Sequence, residues 1–419
     1  FFSLKLVYNK QDILEQADET DAMFGELYSW YLRNTEYRSR VQKLVQSAFA
    51  GKPEDIISQS VAKALYGEVS PYSATRLERF AACAFAHFLQ YGMKLTERVE
   101  YEFKPMDMGN VMHEALESFA EEVRKRGMKW TELTEQERNE IADRCLDNIV
   151  ADYGNTVLKS SARNEYMIER TRRILRRTVW ALQKQLEQGE FQPEGFEVTF
   201  GGGRIDRVDI MEDQNKVYVK VIDYKTGNTS FDLVYLYHGL QLQLMIYLDG
   251  ALRVEQKKYP DKEIIPAGVF YYNIKDPMIQ EKIDADVEAV SAGLMKELKM
   301  NGLVQADPEL VYRMDSSLGS IPVAFNKDGS FRKNSSVADR TQFAVLGRYV
   351  RTKIEKIRSS ILEGDAEVSP YELGKKNACT YCPYMTVCGF DRRLSGYEFR
   401  RLKNFSDEEL WKAFDREAE

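Results

Sequence analysis

Hydrophobic positions recur at helical spacing over most of the first half of the chain. Residues 1–66 show this spacing, and an amphipathic helix is predicted over residues 73–91. A further helix is predicted between Gly109 and Gly127, followed by a long helical stretch over residues 131–190. The pattern therefore predicts a predominantly α-helical first part.

The period of the pattern changes after residue 190. The segments FEVTFGGGRIDRVDIM, KVYVKVIDYKTG and PAGVFYYNI are predicted to be strands, and a helix, HGLQLQLMIYLDGAL, lies between the last two. Two strands, a helix and a third strand are the skeleton of a mixed sheet with a crossover helix, which indicates the α/β class. Residues 300–340 are polar and irregular, and we expect a flexible insertion or lid there.

Composition defines the broad class of protein. Of the 419 residues, 43% are hydrophobic and 30% are charged, which is typical of a folded protein. Residues 1–66 are expected to be the helical end of a preceding domain, and residues 67–419 a larger unit of their own. Because the chain begins with Phe1 instead of methionine, we expect it to be a fragment of a longer protein.

The sequence contains neither an apolar run of about 20 residues nor the pattern of a signal peptide. We therefore expect a cytoplasmic protein without membrane contacts. Five cysteines in such a chain disfavour a disulfide framework and make metal or cluster binding the hypothesis to test.

The net charge of −7 indicates that any contact with nucleic acid uses a local basic groove and not the whole surface. Arg170, Arg173 and Arg177 share one face of a predicted helix and could bind phosphates. The alternative is a solvated helix face paired with acidic neighbours.

Carboxylates and a lysine stand together in the strand region. Asp223 and Lys225 are two residues apart, so both side chains leave the same face of one strand. Asp206 and Asp209 lie in the preceding strand at an odd spacing, so only one of them can line the same pocket. Paired carboxylates supply oxygen ligands for Mg²⁺, and a lysine can stabilise charge developing on a phosphate. The alternative is a surface ion pair on a strand.

Two helical motifs flank the strands: His113 in DMGNVMHEAL, expected near the first turn of its helix, and Gln243 with Tyr247 in QLQLMIY. Taken alone, either motif is typical of ordinary helix packing. In the order Gly-x-x-x-His, Gly-x-x-Asp, Asp-x-Lys and Gln-x-x-x-Tyr, the four motifs closely resemble the RecB-like branch of the PD-(D/E)XK nuclease superfamily. The resemblance implies a restriction-endonuclease-like mixed sheet surrounded by many helices.

The resemblance also implies roles for individual residues. His113, Asp206, Asp223 and the main-chain carbonyl of Tyr224 would bind Mg²⁺, with Mn²⁺ or Ca²⁺ as alternatives at the same site. Lys225 would be the catalytic lysine, and Asp206 is preferred over Asp209 by motif register. Gln243 and Tyr247 would support the site and contact DNA.

The remaining motif is a cysteine array near the end of the sequence. Cys379, Cys382 and Cys388 form a C-x2-C-x5-C pattern that needs a fourth ligand, for which Cys83 is the candidate. Spacing alone leaves structural zinc and a [4Fe-4S] cluster open. Cys145 lies in a helical stretch and is expected to be an ordinary buried cysteine.

One cysteine before the nuclease motifs and three after them is the arrangement of AddB-type nucleases, which the chain resembles from about Ser70 onward. That resemblance implies a [4Fe-4S] cluster that clasps the two ends of the domain. It also implies that residues 1–66 are the remnant of a helicase-like region.

The function implied is a metal-dependent DNA exonuclease acting with an AddA-type helicase-nuclease during processing of double-strand breaks. Its substrate would be one unwound single strand, the 5′-ended one. No phosphate loop of the G-x-x-x-x-G-K-[ST] type occurs, so ATP hydrolysis is not expected in these residues. Alternatives are a free-standing RecB-like iron-sulfur nuclease, a non-catalytic DNA-binding scaffold and, more weakly, a nuclease acting on RNA.

Overall fold

The computed structural model describes residues 19–49, 56–67, 73–96, 105–152, 161–201, 203–279, 286–394 and 396–418. The α-helices of these residues are α1 (Glu19–Arg33), α2 (Thr35–Phe49), α3 (Gln59–Tyr66), α4 (Ala74–Ala82), α5 (Ala84–His87), α6 (Pro105–Lys125), α7 (Glu135–Asp152), α8 (Ala162–Glu187), α9 (Leu233–Tyr237), α10 (Gln243–Lys258), α11 (Val287–Glu297), α12 (Pro308–Met314), α13 (Arg340–Glu363), α14 (Met385–Cys388) and α15 (Asp407–Ala418). A π-helix (Phe88–Gly92) follows α5, and a short 3-10 helix (Trp130–Glu132) precedes α7. The strands are β1 (Gln192–Phe200), β2 (Gly203–Asp213), β3 (Lys216–Lys225), β4 (Glu263–Asn273), β5 (Asn301–Gln305), β6 (Val337–Ala338), β7 (Tyr371–Leu373), β8 (Lys376–Asn377) and β9 (Arg400–Arg401).

A mixed sheet runs through the protein in the order β1-β2-β3-β4-β5-β6. The first three strands are antiparallel neighbours, whereas β3 and β4 are parallel and are connected through α10. This confirms the expected mixed sheet with a crossover helix. The segment predicted as one strand, FEVTFGGGRIDRVDIM, is instead most of a β1–β2 hairpin, in which Phe200 pairs with Gly203. Gly203 has a φ of 152°, a conformation that favours glycine.

Helices cover both faces of the large sheet, so the central strands are buried on both sides. On one face, α6, α7 and α8 contribute to a core that includes Phe119, Leu146, Leu182, Ile222 and Phe270. On the other face, α10, α13 and α15 form a core that includes Val219, Leu244, Val269, Leu346 and Phe414. Burying each such side chain contributes about 1.5–3 kcal/mol, which explains why β3 is a nearly continuous apolar run. None of the described helices has the length and apolar character needed to cross a membrane.

Three predicted helices differ from the observed ones. The helix expected over residues 73–91 is interrupted at Cys83, whose backbone is extended, with φ −166° and ψ 118°. The helix expected to open at Gly109 already begins at Pro105. The stretch expected over residues 131–190 consists of α7 and α8, and residues 153–160 between them lie outside the described part of the chain.

The expectation of a flexible insertion over residues 300–340 is wrong, because this segment packs into the fold. It supplies β5, α12 and β6, and Leu310 and Ile321 belong to the core beneath α6–α8. Its polar DSSLGS sequence closes a turn around Asp315, which is fully buried. The Asp315 carboxylate accepts hydrogen bonds from the main-chain N–H groups of Ser317 (2.9 Å) and Ser320 (2.7 Å). The polar residues of this segment are there to hydrogen-bond a buried carboxylate, and they do not indicate a mobile loop.

The division of the chain at residue 66 stays a prediction. Residues 1–18, at the start of the proposed helical remnant, lie outside the described residues. Helix α3 packs against α13, and its Ala62 and Tyr66 belong to the same core as α10.

A substitution at Gly302 tests the packing of β4 against β5. A Cβ atom at Gly302 would lie 1.9 Å from the carbonyl oxygen of Val269, so the two strands would have to separate. We expect Gly302→Ala to lower the free energy of unfolding by about 2–4 kcal/mol, measured by equilibrium urea denaturation. Gly347→Ala is the matched control, since its Cβ meets only the Arg351 side chain at 3.8 Å. The control should leave the free energy of unfolding unchanged or raise it by up to about 1 kcal/mol. Equal effects of the two substitutions would contradict the close contact between β4 and β5.

Candidate metal centre

The site begins where the pairing of β2 with β3 ends. The ladder runs from Asp213 opposite Lys216 to Arg207 opposite Ile222, and its continuation sets Asp206 opposite Asp223. Beyond that point Asp206 Oδ2 accepts a hydrogen bond from the main-chain N–H of Tyr224 at 2.7 Å. The carboxylate of Asp206 thus takes the place of a main-chain acceptor at the end of the ladder. This hydrogen bond holds Asp206 beside Asp223.

A third carboxylate, which the sequence analysis missed, extends this row onto β1. Phe196 pairs with Arg207 and Val198 with Ile205, so Glu197 stands opposite Asp206. Glu197 has a φ of 50°, which is uncommon for a residue with a side chain. Its side chain is largely buried and is contacted by Arg204. The pairing of β1 with β2 could have identified Glu197. That pairing can be read from the sequence only if the segment is first recognised as two strands and not one.

His113 completes a cluster of possible metal ligands. Its Nδ1 lies 3.3 Å from Asp206 Oδ2 and 3.9 Å from Glu197 Oε1. Ligand atoms of His113, Glu197 and Asp206 all lie within 4.8 Å of one another. The histidine was expected near the first turn of its helix, but it is the ninth residue of α6 because that helix starts at Pro105. Imidazole and carboxylate donors in this arrangement can hold a divalent cation.

Asp223 and Lys225 leave the face of β3 that is covered by α10. Lys225 Nζ lies 2.5 Å from Asp223 Oδ2 and donates to Gln243 Oε1 at 2.8 Å. Gln243 in turn donates through Nε2 to the hydroxyl of Tyr247 at 2.8 Å. The structure therefore brings the Asp-x-Lys and Gln-x-x-x-Tyr residues into one hydrogen-bonded chain.

Electrostatics at the site favour protonation. Burial and the neighbouring Asp206 raise the pKa of Asp223 to about 7, although Lys225 opposes this. Burial and Asp206 also raise the pKa of Glu197. Burial lowers the pKa of His113, but its hydrogen bond to Asp206 and the surrounding carboxylates outweigh that effect and raise it. The raised pKa values of all three groups indicate an excess of negative charge at the site, which a cation would neutralise.

Asp209 belongs to the opposite face of β2. It is fully buried and bonds Arg207 at 2.5 and 2.9 Å, and its Oδ2 lies 2.9 Å from Lys220 Nζ. In spite of burial, these two cations hold the pKa of Asp209 below its usual range. The odd spacing thus separates a carboxylate at the site, Asp206, from one inside the core.

Three of the arginines of α8 are paired with acidic residues. Arg173 donates to Asp276 at 2.6 Å, and Arg172 and Arg176 pair with acidic residues of α7. Arg177 lies over the ring of Trp180, with 5.4 Å to its centroid. Within the described residues Arg170 is exposed and has no ion pair. Of the three arginines expected to bind DNA, Arg173 could do so only by leaving Asp276.

Four cysteines meet at a second location. Cys83, Cys379, Cys382 and Cys388 line one small pocket, and none of the five cysteines forms a disulfide. Burial raises the pKa of Cys83, while main-chain hydrogen bonds from Ala86, Ser369 and Phe85 lower it. Cys145 lies apart from them, buried in the core formed with α6 and α8.

Comparison with known proteins agrees with this geometry. A family model described as the PD-(D/E)XK nuclease superfamily matches residues 71–389. The chain therefore belongs to the PD-(D/E)XK nuclease superfamily, whose members use divalent metal ions.

Within that class, the chain is similar to proteins named as the B-type subunit of an ATP-dependent helicase/deoxyribonuclease. It is 41% identical to the protein of Lachnoclostridium phytofermentans over 96% of this chain and 36% of the relative. It is 34% identical to that of Thermoanaerobacter sp. strain X514, over 96% of this chain and 37% of the relative. It is 33% identical to that of Alkaliphilus metalliredigens, over 98% of this chain and 38% of the relative. The chain thus spans little more than a third of these relatives.

The raised pKa of Asp223 predicts how stability changes with pH in the absence of metal. The folded protein favours the protonated form of Asp223. The stability gained from that proton is complete below pH 3.8, the ordinary pKa of the group, and is lost as the pH rises through about 7. We expect the thermal midpoint in EDTA to fall more between about pH 5 and pH 8 in the wild type than in Asp223→Asn.

Added Mg²⁺ should restore the wild-type midpoint at the higher pH but not that of Asp223→Asn. Asp213→Asn, at the far end of β2, should behave like the wild type. If the thermal midpoints of the wild type and Asp223→Asn changed with pH in parallel, ionisation of Asp223 would not be the cause of the lost stability.

Proposed function

We propose that this chain is a divalent-metal-dependent deoxyribonuclease that hydrolyses phosphodiester bonds. The observation that carries the proposal is the row of Glu197, Asp206 and Asp223 across three neighbouring strands, with Lys225 beside it. Hydrolysis of a phosphodiester needs a cation for the charge on the phosphate and a group that stabilises the developing negative charge. The carboxylate row offers ligands for such a cation, and Lys225 offers the stabilising group.

The donor set suits Mg²⁺ or Mn²⁺. His113, Glu197 and Asp206 offer one nitrogen and two carboxylate oxygens within 4.8 Å of one another. Asp223 and the carbonyl of Tyr224 are proposed to complete the ligands. A bound cation would neutralise the phosphate and make a water molecule more acidic.

The side chains of the chain itself orient the reaction. Lys225 is held between Asp223 and Gln243, so its ammonium is fixed at the edge of the carboxylate row. There it can donate to a phosphate oxygen or to the attacking water. Tyr247 fixes Gln243, and Gln243 thereby limits the motion of Lys225. His113 keeps Asp206 oriented from the side of α6.

The substrate and the partner are proposed from the relatives. Their name describes part of an ATP-dependent helicase and deoxyribonuclease, which favours DNA over RNA. We propose that an AddA-type helicase-nuclease delivers one unwound strand, the 5′-ended one, and that this chain degrades it as an exonuclease during double-strand break processing. Arg170 and Arg177 are the arginines of α8 that remain candidates for holding the strand. A silent DNA-binding scaffold is disfavoured because the carboxylates and the lysine are all present.

A [4Fe-4S] cluster is proposed for the cysteine pocket. Four thiol side chains from two distant segments line it, and main-chain N–H groups point to the sulfur of Cys83. The order of one cysteine before the nuclease motifs and three after them favours the cluster over zinc. Bound there, the cluster would tie α4 and α5 to the segment around α14.

Replacing a carboxylate tests the nuclease assignment. We expect Asp223→Ala to abolish Mg²⁺-dependent degradation of end-labelled single-stranded DNA, with a loss of at least about 1,000-fold, because a metal ligand is removed. Asp213→Ala, which breaks an ion pair with Arg313 at the other end of β2, should retain activity. Cleavage by Asp223→Ala at the wild-type rate would refute the site, and labelled RNA in parallel tests the choice of substrate.

Removing one cysteine tests the cluster. We expect Cys379→Ser to lose iron content and the visible absorption of the anaerobically purified chain, and to lower its thermal midpoint. Cys145→Ser is the matched control, since it replaces a buried cysteine outside the pocket. Stoichiometric zinc without iron in the wild type would overturn the assignment of the cluster.

A further inference from the structure

Glu78 is a partly buried carboxylate that none of the sequence motifs explains. It lies in α4, five residues before the break at Cys83. Its Oε1 accepts hydrogen bonds from two consecutive main-chain N–H groups of a distant segment, Leu242 at 2.7 Å and Gln243 at 3.0 Å. These are the groups at the start of α10.

The start of α10 has no cap of its own. Leu242 occupies the capping position, and an apolar side chain cannot accept a hydrogen bond from the first turn. Glu78 supplies the missing acceptor from another helix, at the positive end of the α10 dipole. The position at which α10 begins is therefore set by α4.

The first residue of α10 is the one that holds the catalytic lysine. Gln243 uses its main-chain N–H for Glu78 and its side-chain oxygen for Lys225. Lys225 is in contact with Asp223 in the carboxylate row. A continuous series of contacts thus joins Glu78 to the reacting end of β3, and a shift of the first turn of α10 would move the Lys225 ammonium.

We propose that Glu78 is a positioning residue that fixes Lys225 by capping the helix that carries Gln243. It acts through α10 and does not touch the substrate. The inference rests on the nuclease function proposed above, and it adds a residue to that function. Burial raises the pKa of Glu78 to about 7. Near neutral pH the side chain is therefore partly protonated, and its oxygen accepts the two hydrogen bonds in the uncharged form too.

The test compares Glu78→Ala and Glu78→Gln with a control at Glu255, a buried glutamate near the other end of α10 that is paired with Lys258. We expect Glu78→Ala to lower kcat for Mg²⁺-dependent cleavage of a single-stranded oligodeoxynucleotide by roughly 10- to 100-fold, with KM nearly unchanged. Glu78→Gln should recover most of kcat because its amide oxygen can accept the same two hydrogen bonds. Glu255→Ala should match the wild type.

Hydrogen exchange of the peptide covering residues 240–248 gives a readout that does not depend on activity. Exchange should be faster in Glu78→Ala than in Glu78→Gln, Glu255→Ala and the wild type, while all the proteins keep the same circular dichroism. An unchanged kcat in Glu78→Ala, or unchanged exchange, would overturn the proposal. An inactive wild type would count against the nuclease function instead, and exchange would still decide whether Glu78 caps α10.

Discussion

Repulsion between carboxylates that stand side by side on β1, β2 and β3 is the constraint around which the site is built. Like charges directly opposite each other destabilise a sheet, and here Glu197, Asp206 and Asp223 form such a row. The protein offsets this with a partner at each edge, His113 beside Asp206 and the ammonium of Lys225 beside Asp223. The row lies at the end of the β2–β3 ladder, in a sheet with an apolar core on each face.

Parts of this arrangement follow from local sequence rules. The two-residue period of a strand places Asp223 and Lys225 on one face, and the same period separates Asp206 from Asp209. Neither inference needs knowledge of the tertiary structure. Glu197 could not be found in this way, because its position depends on how β1 pairs with β2 and on its positive φ. The strand period specifies which face a side chain occupies, but not which residue of a neighbouring strand stands opposite.

Errors in the predicted helices have a related cause. Helical periodicity runs through RFAACAFAHF without interruption, yet the backbone is extended at Cys83. The residues on both sides are apolar and small enough for a helix, so the break is imposed by packing, including the hydrogen bond from Phe85 N–H to the carbonyl oxygen of Glu367. In the same way, the serines around Asp315 gave residues 300–340 the composition of a loop, although the carboxylate they surround is internal. Polar composition alone did not distinguish a buried hydrogen-bonded turn from an exposed segment.

The interruption at Cys83 has a consequence for the order in which the polypeptide is made. Helix α4 leaves the ribosome before any of the three strands, but α10 and α13, against which it packs, lie later in the chain. Three of the four cysteines in the pocket that includes Cys83 also lie later. During synthesis, α4 cannot make these contacts until those later segments have emerged. The carboxylate row can therefore form in a nascent chain well before α4 is anchored. The helical cover over the Lys225 side of the sheet is therefore completed only after the strands that carry the carboxylates have been made.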